Sequence, residues 1–345
     1  MASGARKRKG RMVTVRITAL LGVLVIGPVL TLGGCVGGPW DRPGGGGGWA
    51  AEARIMAPNA PGGGYDSTAR TVARVMEETG IAPGVQVFNL PGAGGTVGLQ
   101  RLVDERGNGE LAMQMGLGVV GASYVSGSRV TLAQTTPIAR LIEEAGAIVV
   151  ARDSPYTSIG ELVAAWRAEP GKVSVGGGSS PGGPDHLLPM RLAKAVGLDP
   201  GVVDYHAYEG GGELLTAVMD GRVTFGASGY GEFLDQVAAG QLRVLAVTST
   251  EPVGVLRDVP TLKASGIDLV FANWRGIVAP PGIGARERAR WTEALDRMRR
   301  SARWRAELAR HGWSDAFLTG ERFADYLTEQ DRATAEILSR LGLMS

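Results

Sequence analysis

Arg54-Ile55-Met56-Ala57-Pro58-Asn59-Ala60-Pro61-Gly62-Gly63-Gly64-Tyr65-Asp66-Ser67-Thr68-Ala69-Arg70 reads as a short apolar strand, a glycine turn and the opening of a helix. The helix continues with Ala69, Val72, Ala73 and Met76 on one face, the i, i+3, i+4, i+7 spacing of an amphipathic helix. The unit then recurs. A strand at 85–88 runs into Pro91-Gly92-Ala93-Gly94-Gly95 and a helix holding Leu99, Leu102 and Val103, and 111–115 is the next strand. Ile148-Val149-Val150 precedes a capping box of Ser158 and Glu161 and a helix with Ile159, Leu162, Val163 and Trp166. The strand at 173–175 leads through a Gly/Ser/Pro turn to a helix around Leu188, Leu192 and Ala195. Further strands are expected at 202–205, 223–227 and 244–247, with helices at 214–219 and 233–238, and two long charged helices at 286–311 and 321–341. Strands alternating with helices imply βαβ units, hence an α/β fold of mainly parallel sheets flanked by helices. Ligands of such sheets sit outside the carboxyl ends of the strands.

The composition narrows the function. Of 345 residues 54 are Gly, about twice the usual ~7%, but no G-X-Y period is present. The first 34 residues hold six Lys or Arg and no acid, leaving 30 basic against 34 acidic residues in the body. A mildly acidic body argues against nucleic-acid binding through bulk charge. One Cys excludes cysteine-based zinc sites and an internal disulfide. His186, His206 and His311 show no metal-ligand spacing, so no metal and no cofactor is expected.

Residues 1–34 read as an export signal: Arg6-Lys7-Arg8-Lys9 and Arg11, an apolar stretch over 17–32, then Leu32-Gly33-Gly34-Cys35. Those last residues resemble the lipobox of bacterial lipoproteins, in which Cys35 would become the lipidated terminus. The apolar stretch, interrupted by Pro28, is short of the ~20 residues a membrane span requires. Residues 35–50, with Gly44 through Gly48, read as a flexible tether with a reach of roughly 20 Å. The body is thus expected to be exported and lipid-anchored through Cys35, on the outer face of the cytoplasmic membrane or in the periplasm.

Glycine concentrates in four turns, at 61–66, 91–96, 176–184 and 209–212, each after a strand and before a helix. Glycine lets the backbone approach a ligand, and a helix N-terminus offers unpaired N–H groups and the positive dipole end. Such turns suit a carboxylate or phosphate. The blander reading, tight turns in a glycine-rich chain, weakens with four on one edge. P-loop and GxGxxG patterns fail on inspection: Gly171-Lys172-Val173 lacks the hydroxyl residue, and Val97 stands where the third glycine belongs. Gly178-Ser179-Ser180-Pro181-Gly182 matches the letters of a nucleophile elbow, so a secreted serine hydrolase using Ser180 is the competing reading. Against it, Pro181 has no N–H for an oxyanion hole; Ser179 and Ser180 fit better as hydroxyl donors to an anion. His186 lies in the first turn of the following helix, Tyr65, Tyr208 and Tyr230 lie at or beside turns, and Asp66 is expected to be the N-cap of its helix.

The order of motifs resembles the substrate-binding proteins of tripartite tricarboxylate transporters, the Bug family. The resemblance rests on Pro61 through Arg70, Asn89-Leu90-Pro91-Gly92-Ala93-Gly94-Gly95, Glu169-Pro170-Gly171-Lys172 with the loop ending at His186-Leu187, and Tyr208 through Gly221. Asp258-Val259-Pro260-Thr261-Leu262 and Trp274-Arg275-Gly276 with Ala279-Pro280 extend it, over about 55–341. Arg106-Gly107-Asn108-Gly109-Glu110 and the extra Pro181 and Pro184 depart from the family pattern.

The resemblance implies a type II periplasmic-binding-protein fold of two domains, 51–145 with 250–345 and 146–249, hinged near 140–150 and 245–275. It also implies a non-enzymatic, monomeric receptor that delivers a small organic carboxylate to a two-component permease. The ligand-binding residues it implies are Gly62, Gly63, Gly64, Tyr65, Asp66 (through water), Gly94, Gly178, Ser179, Ser180, His186, Tyr208 and Gly211. A ligand sensor without a transport role is the other reading it leaves open.

Overall fold

The computed structural model describes residues 52–208 and 210–344. The signal, the lipidation site Cys35, the glycine tether and Glu209 of the fourth turn lie outside the described residues.

Among the described residues, ten strands form one mixed sheet that ten helices cover on both faces. In chain order they are β1 (Arg54–Ala57), α1 (Gly64–Glu78), β2 (Gln86–Asn89), α2 (Thr96–Asp104), β3 (Leu111–Gly116), α3 (Leu117–Val125) and β4 (Thr136–Ala151). Next come α4 (Ile159–Ala168), β5 (Ser174–Gly177), α5 (Pro184–Ala195), β6 (Asp204–Ala207), α6 (Gly211–Met219), β7 (Phe225–Gly229), α7 (Leu234–Ala238) and β8 (Leu242–Val247). The chain ends with β9 (Ala272–Ala279), α8 (Ala285–Arg299), α9 (Ala302–His311), β10 (Ser314–Thr319) and α10 (Gly320–Arg340).

The sheet runs β2-β1-β3-β9-β4-β7-β5-β6, with β10 and β8 also paired to β4. Each half has a parallel core, β2-β1-β3 and β7-β5-β6, built by βαβ crossovers. The halves join through antiparallel strands. β4 is 16 residues long; up to Ala145 it pairs with β9, and from Gly146 it pairs with β7. Thr248 clasps this changeover. Its Oγ accepts from Gly146 N (2.7 Å) and donates to Phe271 O (2.6 Å), while its own N–H donates to Gly146 O and its O accepts from Phe271 N.

The apolar faces of the helices explain the layers. α1, α8 and α9 cover one face of the first half with Val72, Met76, Trp291 and Trp304, all fully buried. α2, α3 and α10 cover its other face, in a core continuous with α4 and α5 of the second half. α6 and the turn carrying Phe233 close the remaining face. Burying each large apolar side chain contributes about 1.5–3 kcal/mol.

Several elements differ from the sequence expectations. The long helix expected at 286–311 is two, because Ser301 caps α9 by accepting from Trp304 N (3.0 Å). The strand expected at 202–205 begins at Asp204, after a single turn at Pro200–Val202. Asp66 is not the N-cap; Gly63 is, and Asp66 stands three residues into α1.

Thr248→Val keeps the shape of the clasp but strips its hydroxyl, stranding a buried N–H and a buried carbonyl. The expected loss is about 1–3 kcal/mol in denaturant unfolding, against nearly none for the exposed Thr250→Val.

Candidate functional site

Two turns of the same construction face each other across a cavity of about 720 Å³, within the usual ~300–1,000 Å³ of ligand sites. In the first, Gly63 N donates to Ala60 O, Gly62 has φ +85°, and Gly63 (φ −72°, ψ 168°) caps α1. In the second, Gly183 N donates to Ser180 O, Gly182 has φ +85°, and Gly183 (φ −75°, ψ 169°) caps α5. Pro then Gly at the two central positions, with positive φ at the Gly, is a type II turn, and only glycine enters that φ without strain. Each turn is locked to the third residue of its helix. Gly62 N donates to Asp66 Oδ2 (2.8 Å), and Gly182 N donates to His186 Nδ1 (3.2 Å). Two helix N-termini, with their partial positive charge, are thereby brought to one cavity.

The two walls offer different donors. On the first, the N–H groups of Gly64 and Tyr65 have no partner among the described residues. On the second, Pro184 occupies the first helical position and has no N–H, and Asp185 N reaches Ser179 Oγ at 3.4 Å. The donors there are the Ser179 and Ser180 hydroxyls, of which Ser179 is shared with the Asp185 carboxyl behind it. A third wall is the run Gly92 (φ 145°), Ala93 (φ 44°), Gly94 (φ 65°) and Gly95 (φ 101°). Ala93, alone of these in having a Cβ, bears a left-handed strain of about 1–2 kcal/mol.

α3 closes the cavity. Tyr65 OH accepts from Val119 N (3.3 Å), and Gly116 and Gly118 leave room for its ring. Burial pushes the Tyr65 phenol up. At the far end a Cβ on Gly121 would lie 1.8 Å from Gly182 O, so backbone meets backbone where α3 touches the second turn.

Of the residues expected at the site, Gly64, Tyr65, Gly94, Gly178, Ser179 and Ser180 line the cavity. Gly62, Gly63, Asp66 and His186 stand behind it as the frame of the turns. Burial works to raise the Asp66 pKa, but bonds from Gly62 N, Asn89 and Arg70 outweigh this and hold it below the ordinary value. Burial takes His186 down to about 4, so its neutral ring accepts from Gly182 and packs edge-on against Tyr205. Tyr208 lies under the Arg222 guanidinium and Gly211 against Glu232; neither lines the cavity. Ser180 Oγ has no histidine partner among the described residues, and the Asp185 carboxylate instead accepts from Ser228 Oγ (2.9 Å) and Gly178 N (3.0 Å).

Asn59, Asn273 and Arg275 line the cavity without having been singled out as ligand residues from the sequence. Among the described residues, Arg275 is the one ionised side chain in the lining. It projects from β9 with its guanidinium against Gly64, where a Cβ would lie 2.8 Å from Nη2. The signal for it was an Arg preceding the apolar run Gly276 to Ala279.

Residues 68–343 match the family model described as tripartite tricarboxylate transporter family receptor. The UPF0065 protein in the gbd 5' region of Cupriavidus necator is 26% identical over 297 residues, covering 84% of this chain and 87% of that protein. A TctC solute-binding protein from Polaromonas has the same fold, with TM-score 0.71, 22% identity and coverage of 84% of this chain and 98% of that one. So has MatC from Rhodopseudomonas palustris with bound malate, at TM-score 0.63, 20% identity and coverage of 85% and 98%.

The Asp185 carboxyl, raised by burial from 3.8 to about 6, gives the site a pH signature. Between these values the folded protein holds the proton more tightly than the unfolded chain, so this group lowers stability as pH rises through the window. Asp185→Asn should therefore gain about 1–3 kcal/mol over the wild type near pH 8. The gain should vanish towards pH 4 in paired thermal unfolding curves.

Proposed function

Since the chain belongs to the tripartite tricarboxylate transporter receptor family, we propose that its cleft captures a small organic carboxylate outside the cytoplasm and presents it to a two-component membrane permease. One observation carries the ligand class. Two helix N-termini converge on a cavity whose lining, among the described residues, holds a guanidinium and no carboxylate. Such a field favours an anion and disfavours a cation. Main-chain N–H groups of Gly64 and Tyr65 and the hydroxyls of Ser179 and Ser180 match carboxylate oxygens, and malate in the R. palustris relative supports the class.

The two halves of the sheet are taken as two domains, 51–145 with 250–345 and 146–249, that close on the ligand about the changeover at Gly146. The receptor acts as a monomer, without cofactor, metal or nucleic acid. It is held at the membrane by lipid on Cys35, which leaves the body free to meet the permease.

Thermal unfolding of the full chain in mild detergent, against carboxylates, amino acids and phosphorylated compounds, tests the class. A ligand at 100 times its Kd adds about 2.7 kcal/mol, or several degrees for a chain of this size. The shift should come with a carboxylate and shrink in Gly64→Ala, which favours the helix but displaces the Arg275 guanidinium. A shift with amines or phosphates alone would refute the proposal. Separately, Cys35→Ser should abolish incorporation of labelled palmitate and release the protein from membranes; unchanged labelling would refute the anchor.

A further inference from the structure

Arg275 is set into the cleft by its strand and confined by its neighbours. On β9 it sits opposite Gly116 of β3 and Ile142 of β4, so its Cα is fixed from both sides. Its side chain is 12% exposed. Nη1 donates to Thr68 Oγ at 3.3 Å, and Thr68 in turn donates to Gly64 O. The guanidinium faces the Trp313 ring at 5.7 Å and lies against Gly64. Of its five N–H donors, that single bond to Thr68 is the one made within hydrogen-bonding distance among the described residues.

Its counter-charge is Glu144, and the two are imperfectly matched. Glu144 Oε2 stands 3.7 Å from Arg275 Nη2, beyond a hydrogen bond. Glu144 Oε1 lies over Gly229 and Gly231, where added Cβ atoms would be 2.5 and 3.3 Å away. Burial raises the Glu144 carboxyl, Arg275 opposes this, and Glu232 and Asp185 push it further up. The acid facing Arg275 is thus itself crowded by acids and is a weak holder of the guanidinium.

We propose that Arg275 selects the ligand by charge: it takes the second carboxylate of a dicarboxylate whose first carboxylate sits on the α1 N–H groups and the Ser179–Ser180 hydroxyls, with Glu144 as the internal anion that competes for it. This rests on the receptor reading above. The chemistry follows from the donor set. A monocarboxylate engages the main-chain and hydroxyl donors and leaves the guanidinium facing Glu144 across 3.7 Å. A dicarboxylate also engages the planar guanidinium fork, which matches a carboxylate with two parallel bonds. Because the guanidinium rests on Gly64, the first residue of α1, the two anchoring points are close enough for a short-chain diacid.

The test is calorimetric titration of the full chain in mild detergent with length-matched pairs: succinate against butyrate and adipate against hexanoate. The wild type should prefer a diacid over its partner by about tenfold to a hundredfold, the worth of one charge-assisted hydrogen bond. Arg275→Gln should remove the preference by weakening the diacid while the monoacid is retained, and Glu144→Gln should tighten the diacid. Since Arg275→Gln leaves Glu144 buried without its cation, the double variant Arg275→Gln/Glu144→Gln repeats the test with both charges gone. Equal affinities within the pairs in the wild type, or a diacid preference surviving in the double variant, would overturn the proposal. So would a parallel loss of both members in Arg275→Gln, which would mean one carboxylate shared by Arg275 and α1. Binding of neither class would instead overturn the carboxylate reading itself.

Discussion

Two stretches of chain pass between the halves of the sheet, and one threonine satisfies the backbone groups where they cross. At Gly146 strand β4 leaves one partner and takes another. A buried N–H or carbonyl left open there would cost a few kcal/mol. Thr248, fully buried, closes the gap with its hydroxyl and its own peptide group, tying β4 to the segments after β8 and before β9. The consequences reach the cleft. Glu144 lies two residues before Gly146 and Arg275 four after Phe271, so the ion pair at the cleft floor is placed by the clasp. Asp185, bonded to Ser228 on the neighbouring strand β7, is placed by the same junction.

The paired turns show how one backbone device is specialised by side chains. Pro-Gly-Gly fixes the same angles on both walls, and the third residue of the helix locks the turn. On the first wall the lock is Asp66, whose charge is met by Arg70 and Asn89. On the second it is His186, kept neutral by burial, so the lock itself adds no negative charge behind the second helix. The first helical position diverges as well. Gly64 leaves an N–H free and room for a guanidinium, whereas Pro184 removes the N–H and leaves the work to the serine hydroxyls. The result is a main-chain wall facing a side-chain wall.

The alternation of strand and helix was legible because apolar spacing and Gly/Pro punctuation repeat in the sequence. The family resemblance followed from the same turns, and the match over residues 68–343 bears it out. β4 was legible only at its apolar end, because Arg140, Glu143 and Glu144 interrupt the other part. Their positions make sense only once β9 and β10 lie on either side. The break between α8 and α9 hid in an arginine-rich run where Ser301 is the single cue. At the site, sequence could point to turns but not to which atoms face inward. Asp66 and His186 looked like ligand residues because of where they fall after glycine, yet they face back into their own turns. Arg275 went unnoticed as a site residue because it approaches from a distant strand.

That arrangement separates charge by depth. Asp66, Asp185 and Glu144 all lie close to the cavity, and none lines it. Each is a layer behind: Asp66 is neutralised in place by its partners, and Asp185 and Glu144 are raised by burial towards the protonated form. Among the described residues the lining then carries Arg275 and the positive ends of two helices, with these three acids in the layer behind it. An anion entering the cleft meets donors first, while the acids behind limit how strongly it is held.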